Sequence, residues 1–477
     1  MITQQDLVQH LARRAAGAWS VVERVQDIAY AADPPIARQR RDHRTRLTLI
    51  VHQDIPRGGR GSARLDLDPI DASPADLVDQ AQALALAAVG PAWTSSPPAA
   101  PAKVDLVDPD LVERDLVAVA LGTLARLHRP DDLSLIATAS VLREKVTVIA
   151  GSGFHATWLA TALRGDALLA SDTHSLGLAR HARRCDHFDL DAAIAAAAAD
   201  LRLLADAGPP SPGPCSLWLG PDALLPDTGQ LRTGALGGNL PGLAGGGLTG
   251  LDGLSTGTAG TDLDGGRATP ATTGLTPRGF DHGLWTIFAI QSDAVVERQG
   301  LTRYRLHNEI ARGASQLAEP LSITSNGALD FATLSAPVTD DAVAIRTFPL
   351  IERGIAVGLG LSPREAALRN TDPNGGVRNL IIPAGTWLPA PSPTARTIEV
   401  RRLHSLAIDP YSGDAILDIA LGFDHRPNRP ATPFTGGTLR LDLISTLARA
   451  RRSSQLLRRG AYHGPAALLI DDVELLP

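Results

Sequence analysis

Lysine is almost missing from this 477-residue chain: Lys103 and Lys145 are the only two, and arginine supplies the rest of 45 positive charges. Set against 51 acids, these leave a net charge of −6, without the basic surplus that phosphate recognition needs, so nucleic acid is not an expected partner. Two cysteines, Cys185 and Cys215, exclude a disulfide framework. No run reaches the roughly 20 apolar residues of a membrane span. The opening stretch MITQQDLVQHLARRAAGAW has an amphipathic pattern with Asp6 and Arg13 inside it, not a signal peptide's apolar core. A soluble cytoplasmic protein with no membrane association is the expectation. Of 13 histidines, none is followed by glutamate, so the HExxxH helix of a zinc peptidase is excluded.

What is present describes a folded protein. Hydrophobic residues make up 44% and charged residues 20%, the proportions of a globular chain, and the length calls for more than one core. Strand and helix signals alternate through 1–207, which reads as an α/β N-terminal domain. Thr3 starts a first helix carrying Leu7 and Leu11 on one face, and LTLIVH at 47–52 is strand-like. Ser73 and Pro74 form a cap and first-turn pair, and 110–128 reads as an amphipathic helix. A pair of strands is expected over 133–149 and an alanine-rich helix over 191–207. The Pro/Gly-rich stretch 208–214 is the expected linker. A β-rich C-terminal domain follows over 215–477, with a glycine-rich loop at 234–266. Strands are expected near 216–219, 284–291, 301–306, 380–383, 398–406, 415–421 and 439–441. Ser362-Pro363-Arg364-Glu365 is a capping box, and 444–459 reads as a basic helix. The fold class is α+β.

Few residues combine into chemistry. His307-Asn308-Glu309 fails as a ligand pair because Ala311 and Arg312 stand where the second His belongs. His174, His181, Cys185 and His187 form the only Cys/His cluster. On a helix His181 and Cys185 would share a face and could hold a structural metal, whereas the plainer reading, with Arg180, Arg183 and Arg184 among them, is a solvated basic stretch. Asp262 and Asp264 before Gly265 resemble half a calcium loop without its closing Glu. Asp340 and Asp341 are paired carboxylates that a strand would send to opposite faces and a loop could bring together. Asn374-Gly375-Gly376 requires a left-handed turn, with Arg378 and Asn379 just beyond it.

The longest informative stretch is PVTDDAVAIRTFPLIERGIAVGLGLSPREAALRNTDPNGGVRNLIIPAG, over 337–385. It resembles the C-terminal half of the TldD/PmbA family, whose complexes are zinc metallopeptidases made of a catalytic and a non-catalytic subunit. SARLDLDPIDASPADLVDQAQALALAA, REKVTVIAGSGFHATW and GPAALLIDDVELLP resemble further family segments in the same order. In catalytic members the strand after the domain boundary leads into the HExxxH helix, and a later cysteine adds a ligand. Here that stretch reads SLWLGPDALLPDTGQLRTGALGG, with no His, and no Cys follows Cys215. The resemblance therefore implies a non-catalytic, TldE/PmbA-like subunit that pairs with an HExxxH-bearing chain and encloses unfolded peptides, including leader regions of ribosomally made natural products. It implies no cofactor in this chain, zinc in the partner, and substrate or partner contacts at Asp340, Asp341, Asn374, Arg378 and Asn379. The rival readings are a stand-alone peptide-binding or regulatory protein, and a metallopeptidase with an unrecognised metal set.

Overall fold

This computed structural model describes residues 2–14, 18–32, 38–55, 58–67, 73–88, 90–94, 99–226 and 282–477. The glycine-rich loop expected at 234–266, and Asp262 and Asp264 with it, lies outside the described residues. The chain opens with α1 (Gln4–Arg14), where Thr3 and Asp6 cap each other reciprocally, the Asp6 amide donating to the Thr3 hydroxyl at 3.2 Å and the Thr3 amide to the Asp6 carboxylate at 2.9 Å. Three antiparallel strands follow, β1 (Ala18–Ala32), β2 (Arg38–Asp54) and β3 (Arg60–Leu67). Next comes α2 (Pro74–Ala87), capped by the Ser73 hydroxyl. The helix expected over 110–128 is two, α3 (Pro109–Glu113) and α4 (Leu116–Ala125), because Asp115 stops the first and caps the second. The expected strand pair over 133–149 is one long strand, β4 (Ser134–Ala150), paired with β5 (His155–Ala170) and followed by β6 (Ser175–Ala182). The alanine-rich helix is α5 (Leu190–Leu204).

The first sheet has the order β3-β2-β1-β4-β5-β6 and is antiparallel throughout. Side chains alternate across it. One face carries Val21, Leu49, Val51, Ala139, Val141, Leu163 and Leu169, packed against leucines and alanines of α1 to α5. The other carries Val22, Arg24, His52, Val146 and Val148, and no described helix covers it. Alanines 193, 197 and 198 are buried on α5 between that sheet and Leu421 and Phe423 of the second half. Small side chains allow that double contact.

The second half begins with β7 (Gly213–Leu219) and a four-residue helix, α6 (Pro221–Leu224). After 282 come α7 (Thr286–Gln291) and α8 (Ala294–Arg298), then β8 (Ile323–Asn326), β9 (Thr347–Glu352), β10 (Ile355–Ala356) and α9 (Pro363–Leu368), where Ser362 caps the Glu365 amide. They are followed by β11 (Asn379–Ile381), β12 (Thr397–Ile408), β13 (Asp414–His425), β14 (Thr432–Phe434), β15 (Thr438–Asp442) and α10 (Leu443–Arg449). The chain closes with β16 (Arg451–Arg452), β17 (Leu456–Arg459), β18 (Tyr462–Pro465) and β19 (Leu468–Leu475). Two sheets result, β10-β9-β8-β11-β18-β17 and β14-β13-β12-β7-β19-β16, with β15 also on β13. They share one core built around Trp285, Phe288 and Tyr462.

Three expectations are corrected here. LWTIFAIQ, expected as a strand, is a single helical turn running into α7, with Leu284 to Phe288 all buried; a helix buried on every side shows no amphipathic period. The segment 301–306 holds no strand, and the Tyr304 hydroxyl instead donates to the carbonyls of Leu350 and Gly358. The basic helix expected over 444–459 ends at Arg449, and its second half enters the two sheets as β16 and β17.

Candidate functional site

The candidate residues of the second half lie on the chain between β8 and β11. After β8 it turns at Gly327, where a Cβ would strike the Ile345 side chain at 1.9 Å. It then bends back on itself, with Val338 bridged to Ala344. At the tip the Thr339 amide donates to the Val343 carbonyl at 2.8 Å, and Ala342 takes a left-handed φ of 59°. This tip rests on the helix-free face of the first sheet, where Val338 and Ala342 meet Val22, Val146, Val148 and Phe154.

The bend sends its two acids to different places. The Asp340 carboxylate accepts from Arg24 Nη2 on β1 at 2.5 Å and meets Arg64 Nη1 on β3 at 3.0 Å, while its carbonyl accepts from the Ser20 hydroxyl at 2.7 Å. Burial alone would raise the Asp340 carboxyl, but the two guanidinium groups outweigh it and hold the pKa below the ordinary value. Asp340 is thus a strut between the halves. Asp341 points instead at His52, with 3.8 Å between its Oδ1 and Nε2. His52 is fixed by the Ser62 hydroxyl at 2.8 Å and by the Trp93 ring, edge-on at 4.9 Å, and Arg60 lies over the same Trp at 4.9 Å. Trp19, His52, Trp93, Asp341, Arg346 and Asp372 line a cleft of about 230 Å³ between the halves. A carboxylate, an imidazole and two indoles suit binding of a polar group such as an amine or a peptide amide.

The other candidate residues hold structure. Gly375 and Gly376 adopt φ of 83° and 79°, as the turn requires. The Asn374 side-chain oxygen accepts from the Leu361 and Gly376 amides at 2.8 and 3.1 Å, and its nitrogen donates to the Leu359 carbonyl at 2.8 Å. Arg378 Nε donates to the Gly375 carbonyl at 3.1 Å. The Arg378 carbonyl meets His282 Nε2 at 2.7 Å, and burial pushes that imidazole down to about 4. Asn379 is fully buried, and its amide bonds Asn326, Leu334 and Ser335. The structure therefore brings Asp340 and Asp341 to the first sheet, and places Asn374, Arg378 and Asn379 in the framework behind them.

His181 and Cys185 do not share a helix. His181 lies on β6, and Cys185 and His187 lie in a single 3-10 turn. The His174 ring bonds the Thr173 hydroxyl at 2.8 Å and the His187 ring sits edge-on to Phe331. Burial, followed by the Asp108 carboxylate, pushes the Cys185 thiol up to about 11. Among the described residues no three His, Cys, Asp or Glu side chains gather as a metal set. His307 lies in a turn, and Glu309 makes an isolated antiparallel bridge with Ile355.

The solvated basic stretch is corrected as well. Arg180 is 3% exposed and Arg183 donates to the Ala332 and Thr333 carbonyls, both at 2.9 Å. Arg180 belongs to a charge cluster that the sequence reading missed, centred on Asp222 just after β7. Asp222 is met by Arg180 at 3.1 Å, Arg402 at 3.1 Å and Arg459 at 2.6 Å, and Arg402 also bonds Asp200 at 2.8 Å. Burial would raise the Asp222 carboxyl, yet the three arginines together hold it below its ordinary value. Beside it lies a second cleft of about 250 Å³, lined by Trp218, Glu399 and Arg401 among others. This cluster occupies the exit from β7, on and around the four-residue helix α6.

No protein-family model and no curated protein matches the sequence. Solved structures do match it along its whole length. A candidate modulator of DNA gyrase from Bacteroides thetaiotaomicron aligns with a TM-score of 0.69 and 12% identity, covering 100% of both chains. TldE from Thermococcus kodakarensis aligns at 0.67 and 13%, again over 100% of both. A candidate gyrase modulator from Thermotoga maritima aligns at 0.66 and 12% over 99% of both. The chain thus has the fold shared by TldE and these gyrase-modulator proteins.

Proposed function

We propose that this chain is a TldE-like member of the TldD/PmbA family: the non-catalytic subunit of a two-chain zinc metallopeptidase, active in the cytoplasm. The observation that carries this is the conjunction of a full-length TldE fold with a sequence in which no His precedes a Glu. An HExxxH-bearing chain supplies the zinc and the reacting groups. This chain encloses unfolded peptides, leader regions of ribosomally made natural products among them, and positions them for cleavage. Two features support the reading. The strand that would lead into a catalytic helix runs into α6, four residues long, and arginine–carboxylate pairs crowd its exit. The cleft with Asp341, His52 and two indoles offers peptide-compatible polar and aromatic contacts beside the strut that joins the halves.

The test is zinc per chain, by elemental mass spectrometry, on protein purified alone and after co-expression with an HExxxH-bearing chain of the same fold. Alone, well under a tenth of an equivalent is expected; together, a stable complex with zinc and peptidase activity. Near one equivalent in the isolated chain would overturn the reading.

A further inference from the structure

β2 is twice as long as the strand that covers its outer side. β1 pairs with it from Arg38 to His52, whereas β3 pairs only with Leu47 to Asp54. Among the described residues the outer side of β2 therefore has no strand partner over 38–45, and no backbone hydrogen bond outside the β1 ladder joins these positions to another described residue. In a strand, alternate residues aim their N–H and C=O groups at each neighbour, so among the described residues this edge is an incomplete ladder. At about 3.4 Å per residue it spans on the order of 27 Å.

The edge is also charged in one sense. Arg38, Arg40, Arg41 and Arg44 stand on it against one acid, Asp42, in a protein whose net charge is −6. Asp42 is shared by Arg40 at 2.5 Å and Arg44 at 3.0 Å, and Arg41 pairs with Asp27 on β1 at 2.6 Å. Residues 38–41 and His43 are exposed. A second copy added edge to edge would set arginines against arginines, which like-charge repulsion across a ladder disfavours. Carboxylates reverse that sign, and guanidinium groups grip them in bidentate fashion.

We infer that the outer edge of residues 38–45 receives an extended acidic peptide segment as an added strand, continuing the line of β3. Main-chain pairing supplies the affinity and the arginines select carboxylates at alternate positions. The inference rests on the peptide-handling role proposed above and names the class of segment handled, but its readout needs neither the partner chain nor zinc.

The experiment uses the full chain alone and a fluorescently labelled peptide of about eight residues, alternating Glu and Val, the length the edge accepts. Anisotropy is expected to show binding about tenfold tighter than for the matched Gln and Val peptide, weakening as salt rises. Methylating every second amide nitrogen on the pairing side should abolish it. Hydrogen exchange should slow over 38–45. The joint variant Arg40→Glu with Arg44→Glu, its thermal midpoint unchanged as a fold check, should reverse the preference, and Arg38→Glu should weaken it. Equal binding of the Gln peptide, indifference to amide methylation, or protection only at the cleft would each overturn the inference. So would protection of 38–45 without peptide in a concentration-dependent dimer. Failure to capture a metallopeptidase chain leaves these readouts untouched and counts against the proposed function instead.

Discussion

The two faces of the first sheet share strands, register and hydrogen bonds, yet they are held by different forces. On one, Leu49, Val141, Leu163 and Leu169 alternate with small residues and meet five helices, so burial of apolar surface fixes the arrangement. On the other, a tip of five residues touches one end through Val338, Ala342 and the Asp340 ion pairs, and beyond it Ile28, Leu142 and Ile136 stand among Gln26, Glu144 and Arg164. Packing pins the first face everywhere. Charge geometry pins the second at one place and leaves an open edge beyond it.

The comparison breaks most readily on the packed face. Leu169→Ala removes a fully buried side chain beneath α5 and should cost about 3 kcal/mol, through lost transfer energy and the cavity left behind. Chemical denaturation reads this as a lower midpoint with an unchanged slope. A cost under about 1 kcal/mol would mean that the helices adapt freely and that the face is not pinned by packing.

On the docked end the expected loss is somewhat smaller. Asp340→Ala leaves Arg24 and Arg64 facing one another at a part-buried site and should cost about 2 kcal/mol, less than a fully buried pair because Asp340 retains 22% exposure. The tip should then become more open to proteolysis, while the helix-covered face keeps its exchange protection. Acid probes the same contact without mutation. The folded-state pKa of Asp340 lies below the unfolded value of 3.8, so the folded state releases its proton more readily and gains stability above 3.8. That contribution disappears as pH falls through the depressed value, and Asp340→Asn should remove this part of the acid sensitivity.

His282 supplies a contrast in the second half. Its pKa is about 4 folded against 6.5 unfolded, so between those values the unfolded chain binds more protons. Stability should fall as pH drops from 6.5 toward 4, by up to on the order of 3 kcal/mol, and be insensitive above that window. The two acid responses occupy separate pH ranges, which allows loosening around Arg378 to be told from undocking of the Asp340 tip. Following amide signals near each during one titration checks the order.

Much of this was legible in sequence where the cause is local. Ser73 and Ser362 cap the helices expected of them, and Asn374-Gly375-Gly376 makes the left-handed turn that its residue types require. The α+β class followed from strand and helix signals, and the fold itself from ordered segments resembling one family. Where the cause is distant, the sequence is silent. Asp222 collects Arg180, Arg402 and Arg459 from three parts of the chain, and nothing in GPDALL announces them. Asp340 and Asp341 look equivalent side by side; only the docked bend makes one a strut and the other a wall of a cleft.

The smallest expected effect is the most discriminating for the open end. Arg40→Ala and Arg44→Ala, made singly, remove ion pairs to Asp42 in which the arginines are 68% and 33% exposed. Solvent screening makes such pairs worth little, so stability should change by no more than about 0.5 kcal/mol. Among the described residues no helix packs on these side chains as α5 packs on Leu169, and the fold should not register their loss. Binding of a Glu-bearing extended peptide should register it, because the carboxylates of an added strand would lose their guanidinium partners. A large stability loss with peptide binding unchanged would place these arginines among the fold's own supports. The open end of the second face would then be held by charge as firmly as its docked end.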